Sequence, residues 1–336
     1  MSAGSTFLGL EVLEPGLLTT VQDAGRPEWT HLGVPIGGAC DRWSLAVANV
    51  LVGNDADTAA LEMTITGPVL AIREELTVGL AGADLGAVVR ETGEELATGR
   101  SHRLARGSTL AFAGTAELAS GCRAYLAVAG GFDVPHVLGS ASTLASAGLG
   151  GVEGRPLRAG DVLVPRLPAA APEPRAWPIL NGDPFGSGDE SGTSRLGLLA
   201  GLHDGGDALV RGEWRAAAGS NRIGVRLEGA TIDGARGEVV SHGVVTGAVQ
   251  LPPDGDPIVL LAEHQTTGGY PVIGVVMSAD HPRLGQLRPG STVRFRSVTA
   301  EQAREALIRQ RAAFAEAAAT LGEAERWDAI WQSAGG

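Results

Sequence analysis

The chain has 336 residues, a formal net charge of −12 and 44% apolar residues, which places it among globular proteins and makes room for two cores. The acidic balance argues against a nucleic-acid partner or an anionic membrane surface, and no apolar run approaches the length that spans a bilayer. The N-terminal MSAGSTFLGLEVLE carries no basic segment followed by an apolar one, so a cytoplasmic protein is expected.

Gly is abundant at 50 residues, aromatics are 4%, and short Val/Leu/Ile runs recur between Gly, Pro and Asp. That pattern predicts a mostly β fold with a few helices. In chain order, TVQDAGRPEW (20–29) sets Gln22, Asp23 and Arg26 around a glycine, either as a turn pinned by an Asp–Arg pair or as part of a site. GVPIGGACD (33–41) is a Gly-rich loop leading into a predicted helix, Asp41–Gly53. The helix begins at an N-capping residue and stops at Gly-Asn. An anion would be drawn to its N-terminus, but Asp41 competes for the same N–H groups, which favours a structural role for that residue. Cys40 and Cys122 read as buried free thiols, with Cys40 placed where a loop could expose it.

One turn-and-strand motif occurs three times, as LARGSTLAF (104–112), LRAGDVLVP (157–165) and LRPGSTVRF (287–295). Each predicts a tight turn at its glycine feeding an alternating strand, in keeping with barrel-like lobes. PRLPAAAPEPRAWP (165–178) is too Pro-rich for a helix and reads as a linker. The predicted organisation is a first subdomain over 1–167, a linker over 168–178, a second subdomain over 179–298 and a C-terminal helical segment over 299–336. Within the last, Ala300–Trp331 carries Leu307, Phe314 and Leu321 at heptad spacing with Ala303 and Ala318 beside them. Three such positions are few for a coiled coil, so a helix packed on its own barrel is expected.

Three polar segments of the C-terminal half could carry chemistry. In SNRIGVRLEG (220–229), Arg222 and Arg226 are four residues apart, which on a strand puts both guanidinium groups on one face. Such a pair suits a carboxylate or phosphate, or else forms ion pairs on a solvated face. Gln250 precedes the PPDGDP turn and offers an amide that both donates and accepts. AEHQTTGGYPVIG (262–274) sits between two apolar runs and is either a long polar connection or a wall that touches a ligand. Thr266 and Thr267 supply hydroxyls, Gly268 and Gly269 allow close approach to main-chain N–H groups, and Tyr270 can close a pocket. His264 is a candidate base or an ordinary packed residue.

All 26 basic residues are Arg. Without Lys there is no P-loop, no Lys Schiff base and no covalent attachment of biotin or lipoate to this chain. The seven His show no HExxH and no metal-ligand spacing, and no GxSxG is present.

Taken together, QDAGR (22–26), GGACD (37–41), ANVLVGN (48–54), ALEMTITGP (60–68), AYLAVAGGFDVPHVLGSAST (124–143), GRPLRAGDVL (154–163), SNRIGVRL (220–227), GAVQLPPDGDPI (247–258) and QTTGGYP (265–271) resemble one family. It is the biotin-dependent carboxyltransferase family, also called allophanate hydrolase subunit 2, which includes the C-subunit of 5-oxoprolinase and the KipI antagonist. The resemblance covers about residues 8–298, with QTTGGYP and GAVQLPPDG its most specific parts. It implies two mostly β subdomains, the second with cyclophilin-like barrel character. It also implies a KipI-like (allophanate hydrolase subunit 1) partner. The family's candidate site matches Gln265, Thr266, Thr267, Gly268, Gly269 and Tyr270, which favours the ligand-wall reading of this segment; Gln250, Arg222, Arg226, Gln22 and Arg26 are further binding candidates. No catalytic residue and no metal ligand is assigned.

The leading expectation is the C-subunit of a multi-subunit, ATP-dependent 5-oxoprolinase, inactive alone, that opens 5-oxo-L-proline to L-glutamate beside KipI-like and LamB/YcsF-like subunits. The alternatives are a carboxyltransferase subunit taking carboxybiotin from another chain, as in urea carboxylase, and a non-catalytic partner of a KipI-like regulator. ATP is expected for the complex and no covalent cofactor here. Departures from the family pattern are Val272 in place of a Lys, Gly37 and Cys40 in the SGAMD-like loop, and Glu263 followed by His264 before the QTT run.

Overall fold

The computed structural model describes residues 9–114, 121–166, 173–178, 193–232 and 239–321. Residues 168–172 of the predicted linker and 322–331 of the predicted terminal helix lie outside them. The chain divides into two compact units, one of residues 1–25, 42–178 and 318–336, the other of 26–41 and 179–317.

The first unit holds strands β1 (Leu10–Glu14), β2 (Leu18–Gln22), β3 (Ala60–Thr64), β4 (Val69–Ile72), β5 (Leu76–Gly82) and β6 (Ala87–Val89). They are followed by β7 (Glu94–Leu96), β8 (Arg100–Leu104), β9 (Thr109–Phe112), β10 (Arg123–Val128) and β11 (Val162–Leu163). Two sheets result, ordered β11-β1-β4-β9-β6-β7 and β2-β3-β10-β5-β8. All six residues of β10 are buried, because it is the middle strand of its sheet and is covered on both faces. Helix α1 (Arg42–Leu51) packs on β5 and β10. It comes so near that a Cβ on Gly79 would lie 2.2 Å from the Ala48 carbonyl oxygen, so only glycine fits there. Between β3 and β10, Tyr125 donates to the buried Glu62 carboxylate at 2.7 Å across a register pair.

The second unit is a closed seven-stranded barrel. Its strands are β12 (Ser194–Ala200), β13 (Trp214–Ala216), β14 (Gly224–Glu228), β16 (Ala248–Gln250), β17 (Ile258–Leu260), β19 (Val272–Val276) and β20 (Thr292–Ser297). All neighbours run antiparallel except β12 and β20. Leu196, Leu198, Trp214, Val225, Leu227, Val249, Val259, Ile273, Val293 and Phe295 fill its core. A fully buried side chain of this size stabilises by roughly 1.5–3 kcal/mol. Helix α2 (Gly206–Arg211) accepts the indole N–H of Trp214 on its Leu209 carbonyl at 2.9 Å. A two-stranded ribbon of β15 (His242–Gly243) and β18 (Thr267–Gly268) completes the sheet structure, and the short helix α3 (His281–Gly285) leads into β20.

The mostly β architecture, the barrel and the C-terminal helix agree with the sequence reading. All three repeated turns have the glycine in the left-handed region, at φ +89 for Gly107, +90 for Gly160 and +85 for Gly290. The final helix, α4 (Ala300–Thr320), starts where predicted and buries Phe314 completely. Its Ala303, Ala306 and Leu307 pack on Met277, Ala279 and Val298, and Gln310 donates to the Ala279 carbonyl at 2.7 Å. The helix thus packs on its own barrel unit.

Candidate functional site

The polar segment that follows β17 is anchored first through main-chain bonds. Ala262 accepts from Gly37 N at 2.9 Å, and Glu263 N donates to the Arg222 carbonyl at 2.9 Å. The Glu263 and Arg222 side chains then pair at 2.6 Å, with 8% and 6% of each exposed. The same guanidinium donates to the Gly38 carbonyl at 2.6 Å and to Cys40 Sγ at 3.4 Å. One buried ion pair therefore ties the GGACD loop to the start of the QTTGGYP segment. Cys40 is buried in the barrel's core cluster and is not exposed by its loop.

Arg222 and Arg226 do not share a face. Strand β14 begins at Gly224, so the alternation rule does not reach Arg222, which is buried while Arg226 is exposed. The Asn221 carboxamide oxygen instead accepts from Ile223 N and Gly224 N and turns the chain just before the strand.

His264 follows, 3% exposed. Its Nδ1–H donates to the Gln265 carbonyl at 2.5 Å, and its Nε2 is buried without a partner among the described residues. Burial pushes its pKa below the usual imidazole value, against a smaller upward pull from that carbonyl. The ring is thus neutral, with the proton on Nδ1 and a lone pair on Nε2. Gln265 is exposed, and its Nε2 donates to Gln250 Oε1 at 3.1 Å. Gln250, at the end of β16, is 2% exposed, and its own Nε2 is buried with no partner among the described residues. Gly268 makes room for that amide, since a Cβ there would lie 2.3 Å from Gln250 Nε2.

The ribbon holds the remaining candidates. His242 pairs with Gly268 and Gly243 with Thr267, while Val244 N donates to the Thr266 carbonyl and Val239 N to the Gly269 carbonyl. Thr266 is half-buried, Thr267 is exposed, and Tyr270 is 43% exposed. Val272 packs with Val244, Ala248 and Leu260, so position 272 supplies apolar contact and no charge. Its N–H donates to His203 Nδ1 at 3.0 Å, and the His203 and His242 rings lie 5.9 Å apart. Neither His203 nor His242 stood out in the sequence, for no spacing connects residues 39 positions apart.

Arg26 belongs to the barrel unit, 2% exposed, with its N–H on the Ile36 carbonyl at 2.7 Å. Gln22 lies in the first unit and is fully buried, donating to Thr20 Oγ1 at 3.0 Å and the Thr143 carbonyl at 3.1 Å. Beside it, the Asp23 carboxylate accepts from Gly25 N at 2.7 Å, Ser140 Oγ at 2.6 Å, Ala141 N at 2.6 Å and Ser142 Oγ. A cavity of about 250 Å³ in this unit is lined by Asp23, Asp57, Thr58, His136 and Arg166 among others. Burial raises the Asp57 pKa, with smaller contributions from the Asp55 and Asp23 charges.

The profile of the carboxyltransferase domain, subdomain A and B, matches residues 32–297. The chain belongs to the carboxyltransferase-domain family. Among its relatives, the chain is 36% identical to the 5-oxoprolinase C-subunit of Escherichia coli, over 88% of its own length and 94% of the relative's. It also resembles the crystal structure of K. lactis urea amidolyase, with a TM-score of 0.82, 30% identity, 91% of this chain covered and 20% of the other. The crystal structure of TTHA0988 matches with a TM-score of 0.77 and 38% identity, over 88% of this chain and 58% of that one. The chain thus spans nearly all of the first relative, somewhat over half of TTHA0988 and a fifth of urea amidolyase. Among the described residues, no helix is long and apolar enough to cross a membrane, and no three His, Cys, Asp or Glu stand where they could hold a metal ion.

Proposed function

We propose that the chain is the C-subunit of a multi-subunit, ATP-dependent 5-oxoprolinase that opens 5-oxo-L-proline to L-glutamate. The observation that carries this is the match to 94% of the E. coli 5-oxoprolinase C-subunit at 36% identity. The reading assigns the small-molecule pocket to the wall formed by Gln250 and Gln265–Tyr270, and ATP turnover to the assembled complex with KipI-like and LamB/YcsF-like subunits. In this reading Arg222 is not a substrate contact. It keeps the wall in place through Glu263 and Gly38, while Thr266 and Thr267 present hydroxyls at the rim.

A second reading has its own support in the likeness to urea amidolyase: transfer of a carboxyl group from carboxybiotin, carried on another chain, to a urea-like acceptor. The two are separated by 5-oxo-L-proline-dependent ADP release from this chain co-purified with its two companion subunits, compared with the same mixture lacking it. The expected result is ADP release that needs all three chains. ADP release unaffected by leaving this chain out would overturn the proposal, and a stable complex active only with a biotinylated carrier would favour the second reading.

A further inference from the structure

We infer that Gln250 and Gln265 form a two-donor subsite for the carbonyl oxygen of a lactam, amide or ureide, beside Gly268. The inference rests on the proposed action on a carbonyl substrate and adds the residues that would receive its oxygen.

Three observations meet at one point. Gln250 is 2% exposed, yet its Nε2 is buried with no partner among the described residues. Its other amide atom is used, because Oε1 accepts from Gln265 Nε2 at 3.1 Å. Finally, the position a Cβ would take on Gly268 lies 2.3 Å from Gln250 Nε2 and 3.5 Å from Gln265 Nε2. Both nitrogens are therefore close enough together for one acceptor to sit at an ordinary N–H···O distance of about 2.9 Å from each. Gln265 keeps a second hydrogen after its bond to Gln250, and Gln250 keeps both of its own. Gln265 is exposed, so one of the two donors lies at the surface, while the other is buried beneath it.

The arrangement is held before any ligand arrives. Gln250 fixes the Gln265 side chain, and His264 Nδ1 fixes its main-chain carbonyl at 2.5 Å. Two neutral amide donors that converge on one oxygen suit a carbonyl better than a cation. When a nucleophile adds to the carbonyl carbon, negative charge gathers on that oxygen and the two N–H bonds strengthen. No bond to either glutamine forms or breaks. A buried NH2 group without a protein partner calls for an acceptor, since buried donors are almost always matched. Gly268 has a definite place in this account, because any side chain there would collide with the donor.

The test uses side-chain NH2 resonances of the ¹⁵N-labelled full chain, with the Gln250 and Gln265 signals assigned by their loss in Gln250→Leu and Gln265→Leu. The probes are 5-oxo-L-proline, urea and L-proline, which lacks the ring carbonyl. Shifts of both NH2 signals with either carbonyl probe, but not with L-proline, are expected. No shift with either carbonyl probe, or an equal shift with L-proline, would overturn the subsite. In the reconstituted complex, Gln250→Leu and Gly268→Ala should each lower kcat at least 30-fold with folding intact. Turnover within twofold of the unaltered chain in both variants would also overturn it. If the unaltered complex does not act on 5-oxo-L-proline, the functional proposal fails by itself, and the resonance shifts still decide the subsite.

Discussion

Asp23 in the first unit and Gln250 in the second are both hidden polar side chains, 7% and 2% exposed. Their surroundings differ. Asp23 accepts from two main-chain N–H groups and two serine hydroxyls, whereas Gln250 has one bond, to an exposed partner, and a buried NH2 left over. A matched buried group stabilises a fold, and an unmatched one detracts from it by about 1–3 kcal/mol. The difference separates what holds this molecule together from what is left available to a ligand, and it can be tested at each end.

The largest effect is expected at Arg222, which resembles Asp23 in being fully engaged. Arg222→Ala leaves Glu263 buried without its cation and the Gly38 carbonyl without its donor. Breaking such a pair should lower stability by about 3–5 kcal/mol in denaturant unfolding. A loss under 1 kcal/mol would show that the pair is dispensable and would weaken the contrast. Asp23→Asn comes next. It replaces one accepting oxygen with an NH2 that faces donors, and about 2 kcal/mol should be lost, with no need for ligand to reveal it.

The smallest effect is a pH dependence at His264. Burial holds its folded-state pKa below 6.5, so the unfolded chain binds this proton more readily than the folded one. Stability from this group is intact above about pH 6.5 and declines as the pH falls below it. A melting-temperature series from pH 8 to 5 should show that decline, and His264→Gln should flatten it. Equal slopes for the two proteins would mean that His264 is charged in the folded chain.

What was legible in the sequence follows the range of the interactions. The three turn glycines could be read because a left-handed residue marks itself locally by its lack of a side chain. Helix α1 could be read from its polar start and Gly-Asn stop, and α4 from its apolar spacing, for the same reason. The polar segment at 262–274 stood out by residue type alone. Arg222 did not reveal its role, since its partners Glu263 and Gly38 lie 41 and 184 positions away. Asp23 was equally opaque, because Ser140 and Ser142 reach it only through the fold. Nor can a sequence show that one half of the Gln250 amide is satisfied and the other is not, for that depends on a neighbour at position 265 and an absent side chain at 268.

The most direct measurement is therefore equilibrium unfolding of Gln250→Leu beside the unaltered chain. Leucine removes the unmatched buried NH2, and Gln265, being exposed, can bond to water instead. The account predicts a stability within about 1 kcal/mol of the unaltered chain, or higher. A loss of about 2 kcal/mol or more would mean that Gln250 is part of what holds the barrel unit together, and would contradict the account.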